Sequence, residues 1–525
     1  MEKDSQYSLE VEKFLEKFII LATGEKHLNK GNDKMMHSAF LYEKFRTAVE
    51  YQEDHLIFKN AVSRIIRRKY ALSVSLDAEM LFNDLLNELA WADYINIDTL
   101  TDDEVAKVKK VINRYLVLLS SLRSRNMAKY DAQKIVIGWM ACEIDEIFFC
   151  RKRQEIMVDF AYNCLKDNLK FASVSQEKIS EIQLKLSILT LIFKPDYSYA
   201  QYWLIRKIFP YFVDFSLDHA KEIGHHFDNI VGQADQVFKN PYSKDYFAYS
   251  KKYIAPFVLI KELPNYQSNL TLISGNREKL VDWLMGVYDK LIDKTKTKVW
   301  RGTFRALIFI LLTKVSLAFI IEMPFDQILR KSIDYLPLAI NIFAPPIIML
   351  FAGLSVKTPS QANRQTVLNS INNILTYRKI ESKPFFIGER KKTHIEMFFD
   401  TLYVIFNIAI IIGVIILLTK LGFNVVSISL FFIFISAVSF FSFRIRNIAL
   451  ELAMQKTRDS FLVSMVEFAF LPFILIGKFL SNAITKQNPF TITLDFLIEA
   501  PLKSIIKISN SWFRFIKQKQ DDLDF

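Results

Sequence analysis

The chain has 525 residues, 51% hydrophobic and 24% charged, with only 13 Gly and 14 Pro. So few turn-formers exclude a β-sandwich or barrel, which needs a turn every ~8–12 residues, and the apolar content excludes a disordered chain. Residues 1–300 carry 43 Lys and Arg against 41 Asp and Glu, while residues 301–525 carry 25 against 15, so the basic surplus travels with the longest apolar runs and points to a membrane rather than to nucleic acid.

The first residues, MEKDSQYSLEVEKF, are acidic and polar. No basic segment leads into an apolar one there, so no cleavable signal peptide is expected. Helical periodicity dominates residues 1–300. In Leu9–Ile20 the apolar positions Leu9, Val11, Phe14, Leu15, Phe18 and Ile19 form a stripe. Thr101 and Glu104 have capping-box spacing ahead of a periodic run, Val105–Leu122. Ile135–Phe149 and Ile179–Phe193 read as core helices. Asn29–Asp33, Ser124–Asn126, Pro195-Asp196 and Asn240-Pro241 read as loops or breakers. The reading is a helical domain at 1–275 and a linker helix at 276–303.

Five apolar segments follow. Four read as membrane spans, at about 304–323, 336–354, 399–419 and 425–443, each near the ~20 residues a crossing helix needs. The fifth, 461–480, contains Glu467, Pro472 and Lys478. It is either a fifth span or a re-entrant or interfacial segment bent at Pro472. The membrane domain is taken as 304–484 and the tail, 485–525, as an amphipathic surface helix with Lys and Arg among its apolar residues. Lys and Arg are dense before the first span, between the second and third, and after the fourth, and sparse elsewhere. That alternation places the N-terminal domain and the 355–397 connection in the cytoplasm. The six basic residues beyond 481 favour the re-entrant form and a cytoplasmic C-terminus.

Motifs that carry chemistry are scarce. There is no phosphate-binding glycine loop, nucleophile elbow or zinc-protease motif. Three cysteines give neither a disulfide framework nor a zinc quartet. His219, Glu222 and His226 share one helical face and form the nearest approach to a metal site. Gly224 interrupts that face and no second ligand set accompanies it, so no metal and no cofactor are expected. Cys142 stands among Glu143, Asp145 and Glu146, the wrong sign for a reactive thiolate. The reading there is a core cysteine beside a solvated acidic face. Arg64, Arg67, Arg68 and Lys69 form a basic cluster, either a solvated face or a contact for an acidic partner or lipid.

The intramembrane polar residues are more informative: Lys314 near the middle of the first span, Glu322 at its end, Asn341 in the second, and Glu467 in the fifth segment. A lone charge at that depth costs roughly 2.5–3.5 kcal/mol on insertion scales. Lys314 should therefore face neighbouring helices, and Lys314→Leu should leave insertion intact or improved. Pro345 and Pro346 would break the second span and Pro472 the fifth segment.

The stretches YEKFRTAVEYQEDHLIFKNAVSRIIRRKY (42–70), LTKVSLAFIIEMPFD (312–326), LPLAINIFAPPIIML (336–350), LPFILIGKFLS (471–481) and FLIEAPLK (496–503) resemble a polytopic membrane-protein family of ultra-small, reduced-genome bacteria of the candidate phyla. The resemblance implies a bacterial inner membrane. It implies no activity, because the family carries none that transfers.

The expectation is an all-α, multi-pass protein that is not an enzyme, serving as a membrane-anchored scaffold or docking protein. Its partners would be the lipid bilayer and a cytoplasmic protein held by the N-terminal domain, with self-association left open and no nucleic acid. The first alternative is an ion or small-solute transporter or channel subunit, which needs Lys314, Glu322, Asn341 and Glu467 to converge. The second is a metal-dependent membrane enzyme built on His219, Glu222 and His226.

Overall fold

The computed structural model describes residues 8–23, 56–72, 77–92, 94–124, 130–149, 151–171, 177–263, 276–330, 335–376, 385–387, 394–455, 461–487 and Trp512. The loop expected at Asn29–Asp33 and nearly all of the 485–525 tail lie outside them. The protein is all-α apart from two three-residue strands among the described residues. These residues fall into two compact units. The first holds those of Met1–Asn276, Asn373–Gly388 and Thr491–Phe525, the last represented by Trp512 alone, and the second those of Arg277–Asn372 and Glu389–Phe490.

In the first unit, α1 (Leu9–Thr23), α2 (Ile57–Leu72), α3 (Ala78–Trp91), α4 (Asp102–Ser124), α5 (Tyr130–Phe148) and α6 (Lys152–Leu165) lead to strand β1 (Leu169–Phe171). Then come α7 (Glu177–Phe193), α8 (Tyr197–Ile208), α9 (Leu217–His225), α10 (Phe227–Phe238), α11 (Ser243–Tyr253) and α12 (Ala255–Lys261). The stripe on α1 is the buried face: Val11, Phe14, Leu15, Phe18 and Ile19 are all inside, and Phe14 stacks on Phe160 of α6. Each such side chain contributes roughly 1.5–3 kcal/mol on burial. The capping box is formed. The Glu104 amide donates to Thr101 Oγ1 at 3.3 Å and the Thr101 amide to Glu104 Oε2 at 2.9 Å, which satisfies two donors that α4 leaves free at its start. Asp196, in the expected breaker, caps α8 through the Tyr199 amide.

The acids around Cys142 are not a solvated face. Glu143 pairs with the buried Arg114, Asp145 with Arg151 at 2.7 Å, and Glu146 with Arg206 at 2.6 Å. Burial pushes the Asp145 carboxyl up to about 6 against the opposing pull of Arg151. The Cys142 thiol is wholly buried and pushed well above its usual range. Alternating signs on facing helices let these charges enter the core, a pairing that sequence spacing on one helix does not reveal. The basic cluster is likewise engaged: Arg68 pairs with Glu88, and Lys69 with Asp84 at 2.6 Å, both on α3.

Strand β2 (Phe385–Ile387) pairs in parallel with β1, Leu169 opposite Phe385 and Phe171 opposite Ile387. Part of the connection between the second and third apolar helices thus belongs to the first unit. Three residues are too short for an alternating pattern, so the sequence reading left them in a loop.

The second unit is a helix bundle. Helix α13 (Arg277–Leu317) continues through a π-helical turn (Ala318–Glu322) into α14 (Met323–Arg330). The expected linker helix and first span are therefore one helix. It is followed by α15 (Tyr335–Ser355), α16 (Gln361–Leu375), α17 (His394–Lys420), α18 (Val425–Ala449) and α19 (Phe461–Gln487). Among the described residues, four helices are long and apolar enough to cross a membrane: Arg277–Ile328, Tyr335–Ser355, Met397–Lys420 and Val425–Ala449. Large apolar side chains cover their outer faces, Phe309, Ile320, Leu336, Phe351, Ile405 and Leu417 among them.

None of the three prolines breaks its helix. Pro345 and Pro346 lie inside α15 and Pro472 inside α19. Each lacks the amide that would bond four residues back, yet Pro345, Pro346 and Pro472 are buried against neighbouring helices, whose packing holds the axis. The fifth segment is one helix, α19, continuous through Pro472. α19 runs antiparallel along α18. Glu467 pairs with Arg446 near one end, and Gly477 meets the Ser436 carbonyl further along.

Candidate functional site

The second unit has an apolar part and a polar part. Val299, Ile310, Met349, Phe434, Val438, Ile445 and Ala449 form one buried apolar cluster. It fills the bundle between the second half of α13, the later part of α15 and the middle and end of α18. Beyond it, toward α14 and the starts of α15 and α18, lies a row of buried polar groups.

Lys314 and Glu322 are both 0% exposed. Lys314 Nζ donates to Glu322 Oε1 at 3.0 Å and stands 4.7 Å from the Phe434 ring centroid, so its charge meets a carboxylate and an aromatic face in one place. The pairing depends on the π turn. An α-helix turns ~100° per residue, so eight residues would leave Glu322 about 80° round the helix from Lys314. The wider turn at Ala318–Glu322 winds less per residue and removes that offset.

Asn341 of α15, also 0% exposed, continues the row. Its Nδ2 donates to Glu322 Oε2 at 2.8 Å and to the Ser427 carbonyl at 3.2 Å. The Ser427 amide donates to Asn424 Oδ1 at 2.7 Å, which caps α18, and Asn424 Nδ2 donates to Asp326 Oδ1 at 2.5 Å. Lys314, Glu322, Asn341, Ser427, Asn424 and Asp326 therefore form one connected chain across α13, α14, α15 and α18, and none is more than 9% exposed. One buried atom of this network has no hydrogen-bond partner among the described residues, Asn341 Oδ1.

Three of the four residues singled out in the sequence are thus brought together. Glu467 is not: it pairs with Arg446 at the other end of α18, half exposed. Asp326 and Asn424 were missed. A signal for Asp326 existed, since it follows Glu322 by four residues and shares its helix face. Asn424 read only as a turn residue.

His219, Glu222 and His226 of the first unit are exposed. Ser216 caps α9 and its hydroxyl lies 3.2 Å from His219 Nδ1. Gly224 faces inward, where a Cβ would collide with Ser121. Among the described residues no group of three His, Cys, Asp or Glu is arranged to hold a metal.

Comparison with known proteins matches the chain to no family model, no curated protein and no solved structure.

Proposed function

We propose that the protein is an integral membrane protein that holds a large helical unit at one membrane face as a scaffold or docking platform. The observation that carries this reading is the double attachment of the first unit. The chain leaves that unit at Asn276, returns to it at Asn373 and leaves again after Gly388, with two apolar helices in between. A compact unit cannot lie on both sides of a bilayer, so its two parts share one side and two crossings separate them. The apolar cluster below Lys314 also suits a static bundle, since the polar row ends against it. The Lys and Arg distribution favours the cytoplasmic side for the first unit, and the family resemblance favours a bacterial inner membrane.

Crosslinking the full chain in its own cell, followed by detergent pull-down, should yield partners crosslinked to the first unit. Purified protein alone moving an ion or solute across liposomes would replace this reading with transport. That second reading has one specific observation in its favour, the convergence of Lys314, Glu322 and Asn341 inside an apolar bundle.

Trp512, beyond α19, groups with the first unit, so by the same argument the chain after α19 lies on that unit's side and α19 does not complete a crossing in this reading. It packs antiparallel to α18, with Glu467 beside Arg446 and Gly477 beside Ser436. A reporter fused after Lys519 should then read on the same side as one fused after Lys392. Opposite sides would make α19 a further crossing helix.

A further inference from the structure

Among the described residues the buried polar row is one positive charge short. Lys314, Glu322 and Asp326 are its ionisable members, respectively 0%, 0% and 5% exposed. Lys314 pairs with Glu322, while among the described residues Asp326 meets only the Asn424 amide. Two carboxylates four residues apart thus share one ammonium. Like charges at that spacing repel even at a helix surface, and an uncompensated carboxylate in an apolar interior costs far more. The same row holds an unsatisfied acceptor, the wholly buried Asn341 Oδ1, on an amide whose nitrogen already touches Glu322 and the Ser427 carbonyl.

We infer that Glu322, Asp326 and Asn341 Oδ1, with Asn424 beside them, form a binding site for one monovalent metal cation. The charge count sets the valence. A single positive charge brings Lys314, Glu322 and Asp326 to neutrality, whereas a divalent ion would leave a net positive charge among apolar side chains. The donors are all oxygens, the ligand type that hard alkali cations take from carboxylates and amides. α14 follows directly on the π turn, so irregular backbone flanks the site between Glu322 and Asp326. The cation goes beyond the scaffold reading and does not depend on it: it would bind whether the bundle is a static anchor or a conduit.

The test uses the purified full chain in detergent. Thermal unfolding is followed at constant ionic strength and pH 7.5 while choline is exchanged for sodium, potassium or lithium. The expected result is a saturable rise in unfolding temperature with at least one alkali cation and none with choline. Asp326→Asn removes the surplus charge, keeps the Lys314–Glu322 pair and leaves an amide that can still bond Asn424. It should fold without alkali cation and lose the response. Asn341→Leu leaves the charges alone and should raise the half-saturating concentration at least tenfold. An equal response to choline, or an undiminished one in both variants, would overturn the site. So would a wild-type protein that responds to pH alone, because the missing charge would then be a proton on Asp326.

Discussion

Lys314→Leu is expected to destabilise the bundle by about 3–5 kcal/mol, the scale of breaking a buried ion pair from one side. The sequence alone suggests the reverse, because a charge inside an apolar span is costly and leucine is not. The structure changes the sign. Glu322 is wholly buried and its carboxylate is shared between Lys314 and Asn341. Removing the ammonium leaves that carboxylate in an apolar interior beside Asp326. The variant should accumulate several-fold less, since changes of only ~1–2 kcal/mol already shift cellular abundance by that much. Lys314→Met combined with Glu322→Gln removes both charges and keeps an acceptor for Asn341, so the double variant should recover most of the loss. Steady-state level and unfolding temperature in detergent measure both. Single and double variants that fall equally would mean that the side chain's volume, not its charge, is what the bundle needs. A single variant that accumulates like wild type would mean that the pair contributes little.

The helical class was legible because its signals are local. A stripe on α1 needs only the 3.6-residue repeat, and the cap of α4 needs only Thr101 and Glu104 three residues apart. The four long apolar helices were legible from length and composition, to within a few residues at most ends. The continuity of α13 into the first of them was not, because polar residues at 277–303 looked like a separate element. What escaped the sequence depends on partners distant in the chain. Phe385–Ile387 become a strand only because Leu169–Phe171 offer an edge. Glu143, Asp145 and Glu146 become core residues only because Arg114, Arg151 and Arg206 face them.

The polar row was half legible for the same reason. Polar residues in an apolar run stand out singly, which is how Lys314, Glu322 and Asn341 were found. Their pairing could not be derived, because it needs a π turn that no residue type announces, and regular helical winding would hold Lys314 and Glu322 apart. The prolines were misjudged by a rule suited to helices in water. Within a bundle, neighbouring helices hold the axis and the freed carbonyls are few.

Glycine at 477 decides how closely α18 and α19 approach, and its replacement should have the second large effect. A Cβ built there would lie 2.3 Å from the Ser436 carbonyl oxygen and 2.7 Å from Phe440 Cβ. A backbone oxygen cannot rotate away as a side chain can, so Gly477→Ala must push the two helices apart. The expected loss is roughly 1–3 kcal/mol, the usual range for overpacking. Small residues serve this role in apolar bundles because close backbone approach replaces the hydrophobic drive that lipid cannot supply. The strain should part the neighbouring contacts, the Phe432–Phe473 ring pair and the Arg446–Glu467 ion pair. Gly413→Ala, in α17, is the matched control, since nothing lies within 4 Å of a Cβ there. It gains helix propensity without a clash and should be neutral or up to ~1 kcal/mol stabilising. Unfolding temperature in detergent should fall with Gly477→Ala and hold or rise with Gly413→Ala. Equal unfolding temperatures for the two variants would mean that α18 and α19 do not pack through Gly477.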